Sequence, residues 1–301
     1  MTTLTFAHAE EALFAKYSLP FERRRLALRD PALEIGVVET GSGPPVLFVH
    51  GSGMCGATWA PLLADLRDRH VFAVDLPGFG ASDPHDYRGR TLRERAVAQV
   101  TSMLDALGLD RAPLVGTSLG GMWALCTAVD APDRVESVTA FGMPAVALPG
   151  LLRDPFFGAF TTPGLGRLLK HLPAPGSAKT MRKGSRRALG APAAEAMPDE
   201  FFDVCRRNVA QPGWGQAMWT HLNLAMHRGR ARPENALTAD ELAGLTMPVR
   251  FVWGDADVYG GPELADEALR LIPDAEMHVV AGGHAPFLDH PTRSAEVCKG
   301  A

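Results

Sequence analysis

Apolar residues along this 301-residue chain fall into two alternating rhythms. Short runs of β-branched and aromatic residues bounded by Gly, Pro or Asp read as strands. Longer stretches with apolar positions three and four apart read as helices. Residues 23–29 and Leu33–Thr40 predict two antiparallel strands turned by Asp30-Pro31. Pro45–Val49 predicts a buried strand followed by an amphipathic segment over 59–67. Residues 71–74 predict another, followed by a helix over Leu92–Leu107. Residues 112–115 form a further apolar run, leading into the buried start of a helix at 121–126, and Val135–Phe141 follows as a strand. After a long interruption, 249–253 and Ala275–Val280 resume the pattern. Strands alternating with helices imply the α/β class, a mostly parallel central sheet with helices on both faces. Ligands of such sheets bind beyond the carboxyl ends of the strands.

Between residues 148 and 245 the alternation stops, leaving helix-like pieces at Asp199–Val209 and 215–226. Residues 173–198, rich in Gly, Pro, Ala and Arg, read equally as a mobile segment or a surface linker.

Composition narrows the function classes. The length suits one large core. Thirty basic residues against 34 acidic give a net charge of −4, with no basic stripe to support a nucleic-acid partner. Arg23, Arg24 and Arg25 cluster at the start of a strand and read as a solvated edge. Cys55, Cys126, Cys205 and Cys298 are scattered and read as reduced, structural thiols. The His and Asp residues lack metal-ligand spacing such as H-E-x-x-H, so neither metal nor cofactor is expected. Residues 1–20 show no apolar core after a basic start, and no apolar stretch reaches the ~20 residues of a membrane helix. The expectation is a cytoplasmic protein acting on a small molecule, without nucleic-acid or membrane partners; its oligomeric state stays open.

Candidate chemistry then changes the picture. Gly116-Thr117-Ser118-Leu119-Gly120, between an apolar run and a helix, has the G-x-S-x-G form of a nucleophile elbow. Such a turn lifts the serine hydroxyl past the sheet edge and leaves room only for glycine two positions either side. A serine hydroxyl attacks only when a neighbouring base takes its proton. Of the ten histidines, His284 sits in a Gly-rich loop directly after the last strand, Gly282-Gly283-His284-Ala285-Pro286. His50 reads as a loop-holding residue, His278 lies inside a strand, and His290 belongs to the final helical region. The acid comes from Gly254-Asp255-Ala256-Asp257, either Asp257 or Asp255, the latter also fitting a turn-forming role. Asp75 reads as the organiser of the Pro77-Gly78 turn. An oxyanion needs two backbone N–H donors. Leu119 supplies one, and Ser52, with Gly53 next in line, supplies the other from His50-Gly51-Ser52-Gly53.

Together with Asp75-Leu76-Pro77-Gly78-Phe79-Gly80-Ala81-Ser82, these motifs in this order resemble the α/β-hydrolase family over nearly the full length. The resemblance implies a core of residues 1–147 and 246–301, with a helical cap at 148–245 roofing the site. Its Gly-x-x-Asp acid loop selects Asp257 and so implies a Ser118–His284–Asp257 triad. Thr117 and Leu119 are similar to their counterparts in ester and lactone hydrolases, making acyl-enzyme cleavage of a carboxylic ester or lactone the leading expectation. His50-Gly51-Ser52-Gly53 resembles the branch that hydrolyses a carbon–carbon bond in ring-fission diketones, but Ala285 departs from that branch's usual tryptophan. Ser118 excludes the relatives that use an aspartate nucleophile. A lyase or cyclase, or a non-catalytic ligand receptor, on the same fold stays open. Within the cap, Trp214 and Trp219, with Phe156, Phe157, Phe160 and Met218, either line a substrate pocket or form cap core. His221, His227 and Arg206 either touch a polar substrate group or lie on solvated helix faces.

Overall fold

The computed structural model describes residues 5–300. Its strands are β1 (Glu22–Leu28), β2 (Leu33–Thr40), β3 (Pro45–Val49), β4 (His70–Val74), β5 (Ala112–Thr117), β6 (Val135–Phe141), β7 (Met226–His227), β8 (Arg230–Ala231), β9 (Val249–Gly254) and β10 (Ala275–Val280). Eight of them build one sheet in the order β1-β2-β4-β3-β5-β6-β9-β10, and β7 and β8 form a separate hairpin. Within the eight-stranded sheet only β1–β2 and β2–β4 pair antiparallel. Every residue of β5 is buried, as a strand covered on both faces must be, whereas edge strand β1 buries only its last apolar positions.

The parallel registers decide where the site falls. Val49 pairs with Val74 and Gly116, Thr117 with Phe141, Phe141 with Val252, and Gly254 with Val280. The carboxyl ends of β3, β5, β6, β9 and β10 therefore finish along one edge, and the segments after them meet there.

The helices of the first half are α1 (Phe6–Lys16), α2 (Ala60–Leu63), α3 (Leu92–Leu107) and α4 (Leu119–Asp130). α3 has the boundaries its periodicity predicts. Thr91 and Glu94 form a capping box at its start, and Gly108 closes it with φ +70°. The amphipathic stretch over 59–67 is instead a 3₁₀ turn, Gly56–Trp59, running into the four-residue α2. Between β6 and β9 lie α5 (Pro155–Phe160), α6 (Leu165–Leu169), α7 (Ala178–Leu189), α8 (Ala191–Ala196), α9 (Asp199–Val209), α10 (Trp214–Ala225) and α11 (Ala239–Ala243). The short helices α12 (Asp266–Leu271), α13 (Pro286–Asp289) and α14 (Pro291–Gly300) complete the chain.

Residues 173–198 are largely helical. Two of the Gly and Pro residues that suggested a mobile or linking segment mark helix boundaries: Gly190 separates α7 from α8, and Pro198 caps α9, while Gly184 is carried inside α7. Arg182 braces all three, donating to Ala194 O and Met197 O at 2.6 and 2.7 Å with its guanidinium 4.5 Å from the Phe202 ring. The arginine cluster on β1 also differs from a purely solvated edge. Arg23 reaches inward between two buried carboxylates, Glu10 of α1 and Asp75. That pairing pins α1 to the core, because either carboxylate left alone in the interior would be strongly destabilising. Arg24 and Arg25 are solvated as expected.

Candidate active site

Ser118 stands between β5 and α4 with φ +51° and ψ −114°, a region that costs a non-glycine residue on the order of 1–3 kcal/mol. The neighbouring glycines make this turn possible. A Cβ on Gly116 would strike the Gly120 backbone, and one on Gly120 would strike Val49 O. Leu119 is the first residue of α4, so its N–H has no intrahelical acceptor.

The loop after β9 delivers Asp257, whose side chain is wholly buried. Its Oδ2 lies 2.8 Å from His284 Nδ1 and accepts from Met143 N–H at 2.9 Å, while Oδ1 accepts from Tyr259 N–H at 2.9 Å. Burial pushes this carboxyl up, but His284 and the two backbone donors outweigh it and hold it below the usual carboxylate range. Asp255 is exposed and accepts from Gly282 N–H at 3.0 Å, tying the β9 loop to the β10 loop. Of the two candidate acids, Asp257 is the one that contacts His284.

His284 is held from three sides. Its N–H donates to Ala188 O at 3.1 Å, Tyr259 packs against its ring edge-on with centroids 4.5 Å apart, and Asp257 takes Nδ1. With Nδ1 engaged by a carboxylate, Nε2 carries the free lone pair. Ser118 and His284 line one cavity, although Ser118 Oγ makes no hydrogen bond among the described residues. Nucleophile–base contacts commonly tighten only with substrate present.

That cavity is also lined by Ser52, Leu119, Ala145, Val146 and Tyr259 of the core and by Leu151, Phe157, Leu222, Ala225 and Met226 of the segment between β6 and β9. Its free volume is about 20 Å³, little more than one water, so an acyl group enters only by displacing side chains. Neither Lys nor Arg lines it.

Trp214 and Trp219, expected to bind substrate, do not line this cavity. Trp214 donates from Nε1 to Gly53 O at 3.4 Å, packs edge-on to Phe79, and lines a separate surface cleft with Lys170 and Gln211. Trp219 sits beneath Lys170, whose ammonium lies 4.9 Å from its ring. Both belong to the first half of α10, and it is the last turn of that helix, with Leu222 and Ala225, that meets the cavity. Among the other cap candidates, Phe157 lines the cavity, Phe156 is exposed, and Phe160 is buried against Phe156. Arg206 pairs with Asp203, and His227 is exposed on β7. His221 is fully buried rather than solvated.

His50 and Asp75 organise the surrounding loops. His50 Nδ1 donates to Gly51 O at 2.8 Å and Nε2 accepts from Leu76 N–H at 2.9 Å, which fixes its tautomer. Burial pulls its pKa down to about 4. Asp75 accepts from Gly56 N–H at 2.7 Å and Ala81 N–H at 2.9 Å, so it anchors the Gly80-Ala81 bend. The Pro77-Gly78 turn is held instead by Gly78 N–H donating to Asp83 O at 2.8 Å.

Two contributors escaped the sequence reading. Tyr259 carries no motif, and only the fold sets it against His284. Asn208 did leave a signal: it is a polar residue on the buried stripe of α9, with Phe201, Phe202 and Val204. Among the described residues no cluster of His, Cys, Asp or Glu could hold a metal, and no helix is long and apolar enough to cross a membrane.

The sheet order, the elbow and the strand-end site define an α/β enzyme architecture with its reactive groups on loops. The chain belongs to the alpha/beta hydrolase family, whose model matches residues 46–297. It is 30% identical over 271 residues to a 2-hydroxy-6-oxononadienedioate/2-hydroxy-6-oxononatrienedioate hydrolase from a Pseudomonas species, covering 85% of this chain and 87% of that one. It is 29% identical over 274 residues to a pimeloyl-[acyl-carrier protein] methyl ester esterase from Vibrio parahaemolyticus, covering 85% and 94%. The crystal structure of carboxylesterase CesB from Bacillus subtilis superposes with a TM-score of 0.75 at 18% identity, over 98% of this chain and 96% of that one, a likeness of fold.

Proposed function

We propose that this protein is a serine hydrolase of neutral carboxylic esters or lactones, with residues 148–245 acting as a cap over the site. The observation that carries this reading is His284, 2.8 Å from buried Asp257 and sharing one apolar cavity with Ser118 on its strained elbow. Ser118 Oγ attacks the ester carbonyl as His284 Nε2 takes its proton. Asp257 keeps the imidazole oriented and offsets the charge it gains. The carbonyl oxygen, now negative, accepts from the N–H groups of Leu119 and Ser52. Collapse expels the alcohol, protonated by His284, and leaves an acyl-Ser118 ester. Water, deprotonated by the same imidazole, then releases the acid.

Hydrolysis of a carbon–carbon bond is the second reading, favoured by the similarity to the Pseudomonas hydrolase. The cavity lining weighs against it. A dioate substrate brings carboxylates, and without Lys or Arg in the lining their burial would go uncompensated.

A panel of p-nitrophenyl esters of graded acyl length, run beside lactones and a ring-fission diketone, tests the assignment. Turnover of short neutral esters with Ser118 labelled by a fluorophosphonate is expected. Ser118→Ala should lose all but a residual activity while keeping its fold by circular dichroism. Substantial kcat in that variant, or turnover of the diketone alone, would overturn the ester reading.

A further inference from the structure

Three cap side chains converge on one short piece of the core without lining the cavity. Asn208 of α9 is fully buried and donates from Nδ2 to Gly53 O at 2.8 Å and Met54 O at 3.1 Å, while its Oδ1 accepts from Gly80 N–H at 2.8 Å. Trp214 adds its indole N–H to the same Gly53 carbonyl. His221 of α10 donates from Nδ1 to Ala217 O at 2.8 Å, which leaves Nε2 to accept from the Ser52 hydroxyl at 3.0 Å. Every residue of Ser52-Gly53-Met54 is thus tied to the cap.

We infer that Asn208, His221 and Trp214 are positioning residues that hold this loop in oxyanion-binding geometry, so that docking of the cap completes the catalytic site. The inference rests on the reading of Ser118 as nucleophile and Ser52 N–H as oxyanion donor.

The loop has little else to hold it. Its own closure is one turn bond, Met54 N–H to Gly51 O at 3.1 Å. Gly53 sits at φ +79°, a conformation glycine leaves readily when unrestrained. Among the described residues the N–H groups of Ser52 and Gly53 donate to no protein acceptor, which leaves them free for a ligand oxygen. His221 is itself immobilised edge-on between Phe79 and Tyr87, with ring centroids 5.7 and 5.8 Å away. The same cap reaches the base loop, where Ala188 of α7 accepts from His284 N–H at 3.1 Å. A Cβ on Gly283 would strike Leu189 O, so that contact is close as well. Because a donor displaced by about 1 Å can cost ~10²-fold in rate, a loop held mainly from the cap makes turnover depend on cap residues that never touch substrate.

The test is a split between kcat and KM. His221→Phe removes the acceptor for Ser52, and His221→Gln offers a replacement oxygen. His221→Phe is expected to lower kcat on the best p-nitrophenyl ester by about 10–100-fold with KM little changed. The fluorophosphonate labelling rate should fall in parallel, and His221→Gln should recover part of the loss. In a Ser52→Ala background, His221→Phe should change kcat no further, because the bond it breaks is already gone. Asn208→Asp keeps the acceptor for Gly80 but loses the donor to Gly53 and Met54, and is expected to lower kcat as well. Melting curves taken beside the kinetics separate positioning from folding. Independent effects in the Ser52–His221 cycle, or losses of kcat that follow only the unfolded fraction, would overturn the inference. Wild-type protein that is not labelled at Ser118 would overturn the hydrolase reading and this inference together. Labelled wild type with unaffected variants would overturn this inference alone.

Discussion

At the scale of single residues, the site works by placing ordinary groups in unusual surroundings. Ser118 is held at φ +51° by space available only beside Gly116 and Gly120. Asp257 is buried yet held as a carboxylate by one imidazole and two backbone N–H donors. An amide has only one oxygen for these two acceptor positions: set against His284 and Met143 it turns its NH2 toward Tyr259 N–H, and set against Tyr259 it turns its NH2 toward His284 Nδ1 and forces the other tautomer. Asp257→Asn is therefore expected to lower kcat by about 10³–10⁴-fold. Asp255→Asn should change kcat by less than about twofold, since an amide oxygen can still accept from Gly282 N–H and surface changes are usually mild. Matched steady-state kinetics of the two variants checks the assignment, and reversed effects would transfer the acid role to Asp255.

At the scale of elements, α10 carries two jobs at different points along its length. Its last turn packs Leu222 and Ala225 onto the cavity with Phe157 of α5, while Trp219, a turn earlier, lies against Lys170. The cavity is too small for a bound acyl chain, so its wall should set chain-length preference. Phe157→Ala or Leu222→Ala is expected to move the optimum toward longer acyl groups, by about ten- to two-hundred-fold in relative kcat/KM at most. Trp219→Ala should lower Tm and leave the chain-length profile flat. Rates across the p-nitrophenyl series, measured beside melting curves, separate these outcomes.

At the scale of the whole molecule, buried neutral histidines link stability to pH. Burial lowers His50 and His221 to about 4 each in the folded protein, against 6.5 for an exposed imidazole. Between those values the unfolded chain binds protons that the folded chain refuses, so stability rises with pH across this window and is lost on acidification. A difference of about 2.5 pH units per histidine corresponds to roughly 3 kcal/mol each at most. Denaturant midpoints should therefore fall steadily from pH 7 toward pH 4. The wild-type slope should be steeper than that of a His221→Gln variant, and equal slopes would show that His221 does not carry this linkage.

The sequence by itself determined the strand–helix alternation, the places of the eight sheet strands and of α3, α9 and α10, and the order of the chemical motifs. These are local properties: Leu33–Thr40, Leu92–Leu107 and Asp199–Val209 carry their periodicity within their own residues. The elbow was legible for the same reason, because Gly116 and Gly120 answer a steric demand inside five residues. Which carboxylate meets His284, what lines the cavity and what holds the Ser52-Gly53-Met54 loop were decided only by tertiary structure. Asp255 and Asp257 differ by two positions on one loop, and only the register of β6, β9 and β10 turns one inward. Trp214 and Trp219 have the composition of a pocket wall, but α10 meets the cavity with its last turn, while its first half packs these two against Phe79 and Lys170. Asn208 and Ser52 are 156 residues apart and meet through Gly53 and Met54 only because the segment between β6 and β9 packs on the core. Such contacts depend on how separate elements pack, which no window of neighbouring residues contains.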